Sequence, residues 1–367
     1  MDIKGQIAGI KYKVFLSEDL QPIDLDKFNI NKIPSHCLLK DGKISFAVSK
    51  WVSPKRTRSY PYERAYNTLT VSKKITVIPI IKDEGFDGDR DFLQWDTVSL
   101  MSLLDVFVIF TYYNKATKNP KYENKITDFQ FDNKHVVSKI KEIEQYHSSA
   151  LHWNLNELKN NLHNIIDKAK KNYTKIEKQT GILLHNQKGI ENFQKKIGKD
   201  VSDFMEFSRE KAQKAQSREM VTIQPKESLS SVTKAKITIT NYLGGLYFFT
   251  VDEVLIDNDT VYLIESKQSK QSILPSKGDI KDGLLKMILY SNLCEVEVNG
   301  KKMKSQAVLK LTSPKIRDVI TSELPIWDRG DLLLLNNFSQ EQIKFIDALL
   351  DEAVENGFMV KIEQSKG

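Results

Sequence analysis

The sequence predicts a mixed α/β fold, an α+β arrangement with mixed sheets, into which a long helical segment is inserted. Three observations carry this. Short runs rich in Val, Ile and aromatics recur near both ends of the chain, helical periodicity replaces them between Asp132 and Glu219, and the strand pattern returns after Thr222.

A chain of 367 residues has room for two or three domains. A hydrophobic content of 40% beside 28% charged residues is that of an ordinary globular protein. The most apolar stretch, Val98–Phe110, is cut by Ser102 and Asp105 and falls short of the ~18 residues a membrane span needs. "MDIKGQIAGIKYKVF" lacks the apolar core and cleavage site of a secretory leader, so a cytoplasmic protein is expected. Cys37 and Cys294 are too few for a disulfide framework and are expected as buried thiols. A net charge of +7 favours a polyanionic partner.

Residues 1–131 read as an N-terminal α/β region that could recognise DNA. Strands are expected at Gly9–Leu16, Lys43–Val48, Ile75–Ile81 and Val106–Tyr113, with a helix at Thr97–Leu104. Between them, Lys50, Lys55, Arg56, Arg58 and Arg64 alternate with Trp51, Tyr60, Tyr62 and Tyr66. Cations for phosphates and rings for bases suit a DNA surface; a solvated, Pro-bounded loop fits the same residues equally well.

Residues 132–219 hold seventeen Lys or Arg against twelve Asp or Glu. Leu151, Leu155, Leu158, Leu162, Ile165, Ala169 and Ile176 follow steps of four and three, interrupted once at Asn172, and read as one long helix; Gly181 breaks it, and Ile190, Phe193, Ile197, Val201 and Phe204 continue a second at similar spacing. A helical hairpin is expected, serving as a clamp, a dimerisation arm or simply a packing element.

Residues 220–367, with an upstream helix beginning near 205, form the last region. Strands are expected at Lys236–Tyr242, Leu246–Ile256 and Thr260–Gln268, followed by a helix at Asp279–Leu293, a strand at Ser305–Thr312, a helix at Gln340–Glu355 and a strand at Met359–Glu363. The second and third strands each carry charge where apolar residues dominate. Glu265 and Lys267 alternate onto one face. A two-residue turn at Asn258–Asp259 would set Asp257 against Thr260 and Asp252 against Glu265; a three-residue turn would make Glu253 the facing carboxylate instead. Two carboxylates side by side repel unless a cation lies between them, and oxygen ligands suit a hard divalent metal.

Asp252 followed by Glu265-Ser266-Lys267, on successive strands and ahead of a helix and a further strand, resembles the PD-(D/E)xK nuclease superfamily over residues 205–315. The resemblance implies a restriction-endonuclease-like core with Asp252, Glu265 and Lys267 as catalytic residues. It also implies metal ligation by Asp252, Glu265 and the Ser266 carbonyl, with Glu253 or an upstream acid such as Glu227 or Glu219 as further donors. Val251 stands where the family often has Pro. "KMILY" keeps Tyr290 of a Gln-x-x-x-Tyr motif but has Lys286 in the Gln position, and both are expected to face DNA.

The function implied is phosphodiester hydrolysis in double-stranded DNA with Mg²⁺, or Mn²⁺ in its place. The additional segments favour a type II site-specific restriction endonuclease, acting as a homodimer beside a cognate DNA methyltransferase. The alternatives are a repair or defence nuclease without fixed sequence specificity and a non-catalytic DNA-binding protein on the same fold. The sequence has neither an H-E-x-x-H pair nor a G-x-x-x-x-G-K-[ST] loop, and "DGDRD" lacks the Gly and terminal Glu of a calcium loop.

Overall fold

The computed structural model describes residues 1–42, 44–55, 61–198, 201–221 and 233–365. Arg56, Arg58 and Glu227 lie outside them, and of Glu219 only the backbone is described. The chain divides into two compact units, one of Met1–Glu18 with Arg209–Gly367 and the other of Asp19–Ser208.

The chain opens in the first unit with β1 (Asp2–Ile7), whose Ile3, Gly5 and Ile7 alternate inward. This is the first strand, and the expected strand at Gly9–Leu16 does not form. That segment is held instead by the buried Glu352: Tyr12 Oη donates to Oε1 at 2.7 Å, and Phe15 N and Leu16 N donate to Oε2 at 2.9 and 3.2 Å.

The second unit contains β2 (Pro22–Asp24), β3 (His36–Asp41), β4 (Ile44–Lys50), α1 (Pro61–Tyr66), β5 (Lys74–Pro79), β6 (Ile81–Asp83), β7 (Arg90–Phe92), α2 (Trp95–Leu103) and β8 (Val106–Thr111). It continues with β9 (Tyr113–Lys118), β10 (Ile126–Phe131), α3 (Asn133–Glu144), α4 (Ala150–Asn160), α5 (Leu162–Thr180) and α6 (Lys188–Ile197). Its main sheet runs β2-β3-β4-β5-β8, with β4, β5 and β8 parallel. Every residue of β5 and β8 is buried, as expected of parallel strands covered on both faces.

The expected long helix is two, α4 and α5, separated at Asn161. Their apolar seam packs against β8 and β9, so it is spent inside this unit. Trp153 belongs to that packing, its Nε1 donating to Val108 O at 2.9 Å. The sequence boundary at 131 therefore cuts through a single packed unit.

Within α7 (Val201–Val221) the chain passes at Arg209 into the first unit, which continues with β11 (Thr233–Asn241), β12 (Leu246–Asp257), β13 (Thr260–Gln268), α8 (Lys277–Ser291), β14 (Cys294–Val298), β15 (Lys301–Lys302) and β16 (Lys304–Ser313). It ends with β17 (Ile320–Thr321), α9 (Ile326–Leu335), α10 (Gln340–Asn356) and β18 (Met359–Gln364). These strands and β1 form one mixed sheet, β15-β14-β1-β11-β12-β13-β16-β18-β17. β11, β12 and β13 are an antiparallel meander, and β16 and β18 add in parallel to β13. The α8 helix is capped by Ser276, which accepts from Asp279 N, and crosses β13 and β16. Cys37 is buried as expected, but Cys294, on the β14 strand near the sheet edge, is exposed.

Among the described residues no helix is long and apolar enough to cross a membrane.

Candidate active site

The site grows from the β12–β13 hairpin. Asn258 adopts φ +52°, the left-handed conformation that a two-residue turn between twisted strands requires and that Asn tolerates. Asp257 pairs with Thr260, and the register runs to Glu253 opposite Ile264. One step further, Asp252 lies beside Glu265. The ladder stops there, and the Asp252 carboxylate takes the next backbone group, Oδ2 accepting from Ser266 N at 3.0 Å.

A bulge on the other side of β12 marks the same place. Ala235 pairs with Val251 and Thr233 with Val254, so Lys234 alone opposes Asp252 and Glu253. Bulges of this kind re-aim side chains and are common beside functional sites. Here the two acids part company. Asp252 turns to the face covered by α8, and Glu253 turns to the reverse face, where its Oε2 accepts from Lys310 Nζ at 2.6 Å.

Glu265 is only 2% exposed and sits between two ammonium groups, with Lys267 Nζ 3.0 Å from Oε1 and Lys286 Nζ 2.7 Å from Oε2. Lys267 Nζ also meets Asp282 Oδ2 at 3.1 Å. Asp282 is absent from the sequence-based set, although its spacing of four residues from Lys286 on α8 places both on one helical face. Gly283, between them, lets α8 approach closely: a Cβ there would lie 2.8 Å from Leu309 Cδ1 and 3.2 Å from Lys267 Cε.

Burial, then the adjacent Glu265 carboxylate, pushes Asp252 from 3.8 to about 6. Burial also opposes ionisation of Glu265, but Lys286 and Lys267 outweigh it and hold this acid below the usual range. Both lysines are held above theirs. In each, burial works against the charge and Glu265 is the leading influence in favour of it. The cluster thus contains three carboxylates and two ammonium groups, and Asp252 is the one acid whose charge burial and its neighbour Glu265 together disfavour.

The expected DNA contacts are placed differently. Tyr290 is 1% exposed, and Lys286 is engaged with Glu265, so neither forms an open surface. In the second unit, Lys50 Nζ donates to Ile30 O and Ile33 O at 3.1 and 2.9 Å, and Arg64 Nη1 donates to Lys50 O at 2.7 Å. Trp51, Tyr62 and Tyr66 are buried. Among the described residues of this stretch, these three rings fill a core and Lys50 and Arg64 satisfy carbonyls at its margin. Lys55 is half-exposed and pairs with the buried Asp91, 3.6 Å from Oδ1.

No protein-family model, curated protein sequence or solved structure matches the chain.

Proposed function

We propose that the protein is a Mg²⁺-dependent endonuclease of the PD-(D/E)xK type that hydrolyses phosphodiester bonds in double-stranded DNA, and specifically a type II site-specific restriction endonuclease. The observation that carries this reading is the meeting of Asp252 and Glu265 on adjacent strands, with Lys267 beside them, in a unit ordered helix, three antiparallel strands, helix and, after the β14 and β15 strands, the parallel strand β16. Asp252, Glu265 and the Ser266 carbonyl are the hard oxygen donors available for Mg²⁺, and Mn²⁺ suits the same set. Burial first, and Glu265 beside it, disfavour the charge on the Asp252 carboxylate, and a cation held there would offset both. When bound there, Mg²⁺ supplies Lewis acidity that lowers the pKa of water. Lys267 offsets negative charge developing on the phosphate, Asp282 orients its ammonium, and Lys286 steadies Glu265.

A cytoplasmic homodimer working beside a methyltransferase that protects the same DNA site belongs to this reading. The competing reading, a DNA-binding protein without activity, draws on one observation: both Glu265 oxygens are already satisfied by lysines.

The deciding experiment incubates plasmid DNA with the protein in Mg²⁺ or in EDTA, beside Asp252→Ala and Lys267→Ala. Discrete Mg²⁺-dependent fragments lost in both variants are expected. A smear in place of discrete fragments would indicate a nuclease without sequence specificity, and binding without cleavage in any divalent metal would sink the enzymatic reading.

A further inference from the structure

The parallel strands β13, β16 and β18 run in register and end together at Gln268, Ser313 and Gln364. Beyond their carboxyl ends lies a cleft of about 790 Å³ lined by Ile273, Lys315, Arg317, Asn337 and Gln364. Crevices outside the carboxyl ends of parallel strands are where ligands bind in open α/β sheets. This one begins next to the catalytic strand, since Lys267 pairs with Leu311 and Ser269 N donates to Thr312 O at 2.9 Å.

The wall carrying the two cations is fixed from beneath. Ile316 is 1% exposed and anchors the loop, while Lys315 and Arg317 on either side of it are exposed. Asn336, also buried, accepts from Arg317 N at 2.7 Å and from Asp318 N at 3.2 Å, and donates to Asp318 O at 3.3 Å. Ser313 Oγ donates to Ser272 O at 2.8 Å, tying this loop to the one that follows β13. Neither Lys315 nor Arg317 has an ion-pair partner among the described residues, in contrast to Lys267, Lys286 and Lys310. Two unpaired cations on a pinned backbone, above amide side chains, suit a chain of phosphates: the charges meet the oxygens and Asn337 and Gln364 add hydrogen bonds.

Resting on the nuclease reading, we infer that this cleft holds the sugar–phosphate backbone of the DNA flanking the scissile phosphate, with Lys315 and Arg317 as its phosphate contacts. From Lys267 to the cleft is a few residues at ~3.3 Å each, against ~3.4 Å of axis per nucleotide of a duplex strand. The contacts therefore fall a few nucleotides from the cut, and they set affinity and position without reading bases.

The test measures binding of fluorescent duplex DNA in EDTA across a salt series, so that cleavage plays no part. Lys315→Glu/Arg317→Glu and the milder Lys315→Gln/Arg317→Gln are compared with wild type and with Lys301→Glu/Lys344→Glu, which matches the charge reversal elsewhere on this unit. Both cleft variants are expected to bind about tenfold or more weakly, with the slope of log K against log salt reduced by about 2, at ~0.9 per phosphate contact. Wild-type binding together with cleft variants that lose no more than the matched control would overturn the cleft alone. Failure of wild type itself to bind DNA would overturn the nuclease reading, and the cleft with it.

Discussion

The two faces of the β12–β13–β16–β18 sheet carry the same ingredients to different effect. On one face Asp252, Glu265 and Asp282 meet Lys267 and Lys286 beneath α8, three acids against two bases. On the other, Lys310 Nζ lies 2.6 Å from Glu253 and 3.4 Å from Glu363, and Lys361 Nζ lies 2.7 Å from Glu363, two acids against two bases. The Lys310–Glu253 pair keeps about a fifth of its side-chain surface in water, 21% for Lys310 and 19% for Glu253, and Lys361 is more exposed still, whereas Glu265 keeps 2%. In that balanced cluster, burial opposes the charges on Lys310 and Glu363, but their partners prevail, raising the lysine and lowering the acid. On the α8 face one acid, Asp252, is left with its charge disfavoured. A carboxylate next to a lysine is therefore no mark of a site by itself. Burial combined with an unmatched charge is what separates the two clusters.

The largest effect should come from asking which of two adjacent acids matters. Asp252→Ala is expected to lower Mg²⁺-dependent cleavage by at least ~10²–10³-fold, the scale of losing one preorganised electrostatic group. Glu253→Ala should leave it within a few-fold. Single-turnover cleavage of plasmid DNA measures both, and equal losses would erase the distinction between the faces.

Stability should separate the faces next. Glu265→Gln leaves two lysines without their shared partner in a buried place, a loss of roughly 3–5 kcal/mol. Glu253→Gln removes one partner of a pair that keeps about a fifth of its surface in water, but Lys310 retains Glu363 as a second partner, so the loss should be smaller than at Glu265. Urea unfolding of the two variants gives the comparison, and similar losses would mean that the α8 face is more hydrated than its burial indicates.

Much of this contrast was legible in advance, and the reasons are local. The alternation in β12 and β13 and the turn residues at Asn258–Asp259 are short-range features, and the turn settles in favour of Asp252 the register that the sequence left open. The bulge opposite Lys234 is a property of strand pairing and leaves no mark in the residues of β12 alone. Distance in sequence defeated the other readings. Gly9–Leu16 alternates like a strand, yet its backbone is claimed by Glu352 from the far end of the chain. Lys50 and Arg64 stand among aromatics as they would on a DNA surface, yet carbonyls of neighbouring segments engage them. Asp282 could have been found, because its spacing from Lys286 puts both on one face of the predicted helix.

Proton binding offers a further test of the unmatched charge. Folded Asp252 holds its proton up to about pH 6, against 3.8 for the free side chain, so folding gains from protonation at low pH and loses that gain as pH rises through this window. In EDTA, Asp252→Asn should therefore be more stable than wild type above pH 6, by up to ~3 kcal/mol, with the difference vanishing near pH 4. Mg²⁺ should reverse the order at neutral pH, because wild type gains stability from binding the ion and the variant gains less. Thermal unfolding with and without Mg²⁺ reads both effects. A variant no more stable than wild type in EDTA at pH 7 would remove the argument that the site disfavours the charge on Asp252.

The smallest effect concerns the helix that covers the site. Ala in place of Gly favours a helix interior by up to ~1 kcal/mol, and Gly330 in α9 has nothing within 4 Å of an added Cβ, so Gly330→Ala should show that gain undiluted. At Gly283 the added methyl would lie 2.8 Å from Leu309 Cδ1 and 3.2 Å from Lys267 Cε, and crowding of this kind costs ~1–3 kcal/mol. Propensity and crowding nearly cancel, so Gly283→Ala should change stability by no more than ~1–2 kcal/mol. Its effect should appear in cleavage instead, a fall of about tenfold as Lys267 is displaced from its position between Glu265 and Asp282. Comparing the two alanine variants by urea unfolding and by single-turnover rate separates helix propensity from the fit of α8 against the carboxylates. Unimpaired cleavage in Gly283→Ala would show that the close approach of α8 does not set the position of Lys267.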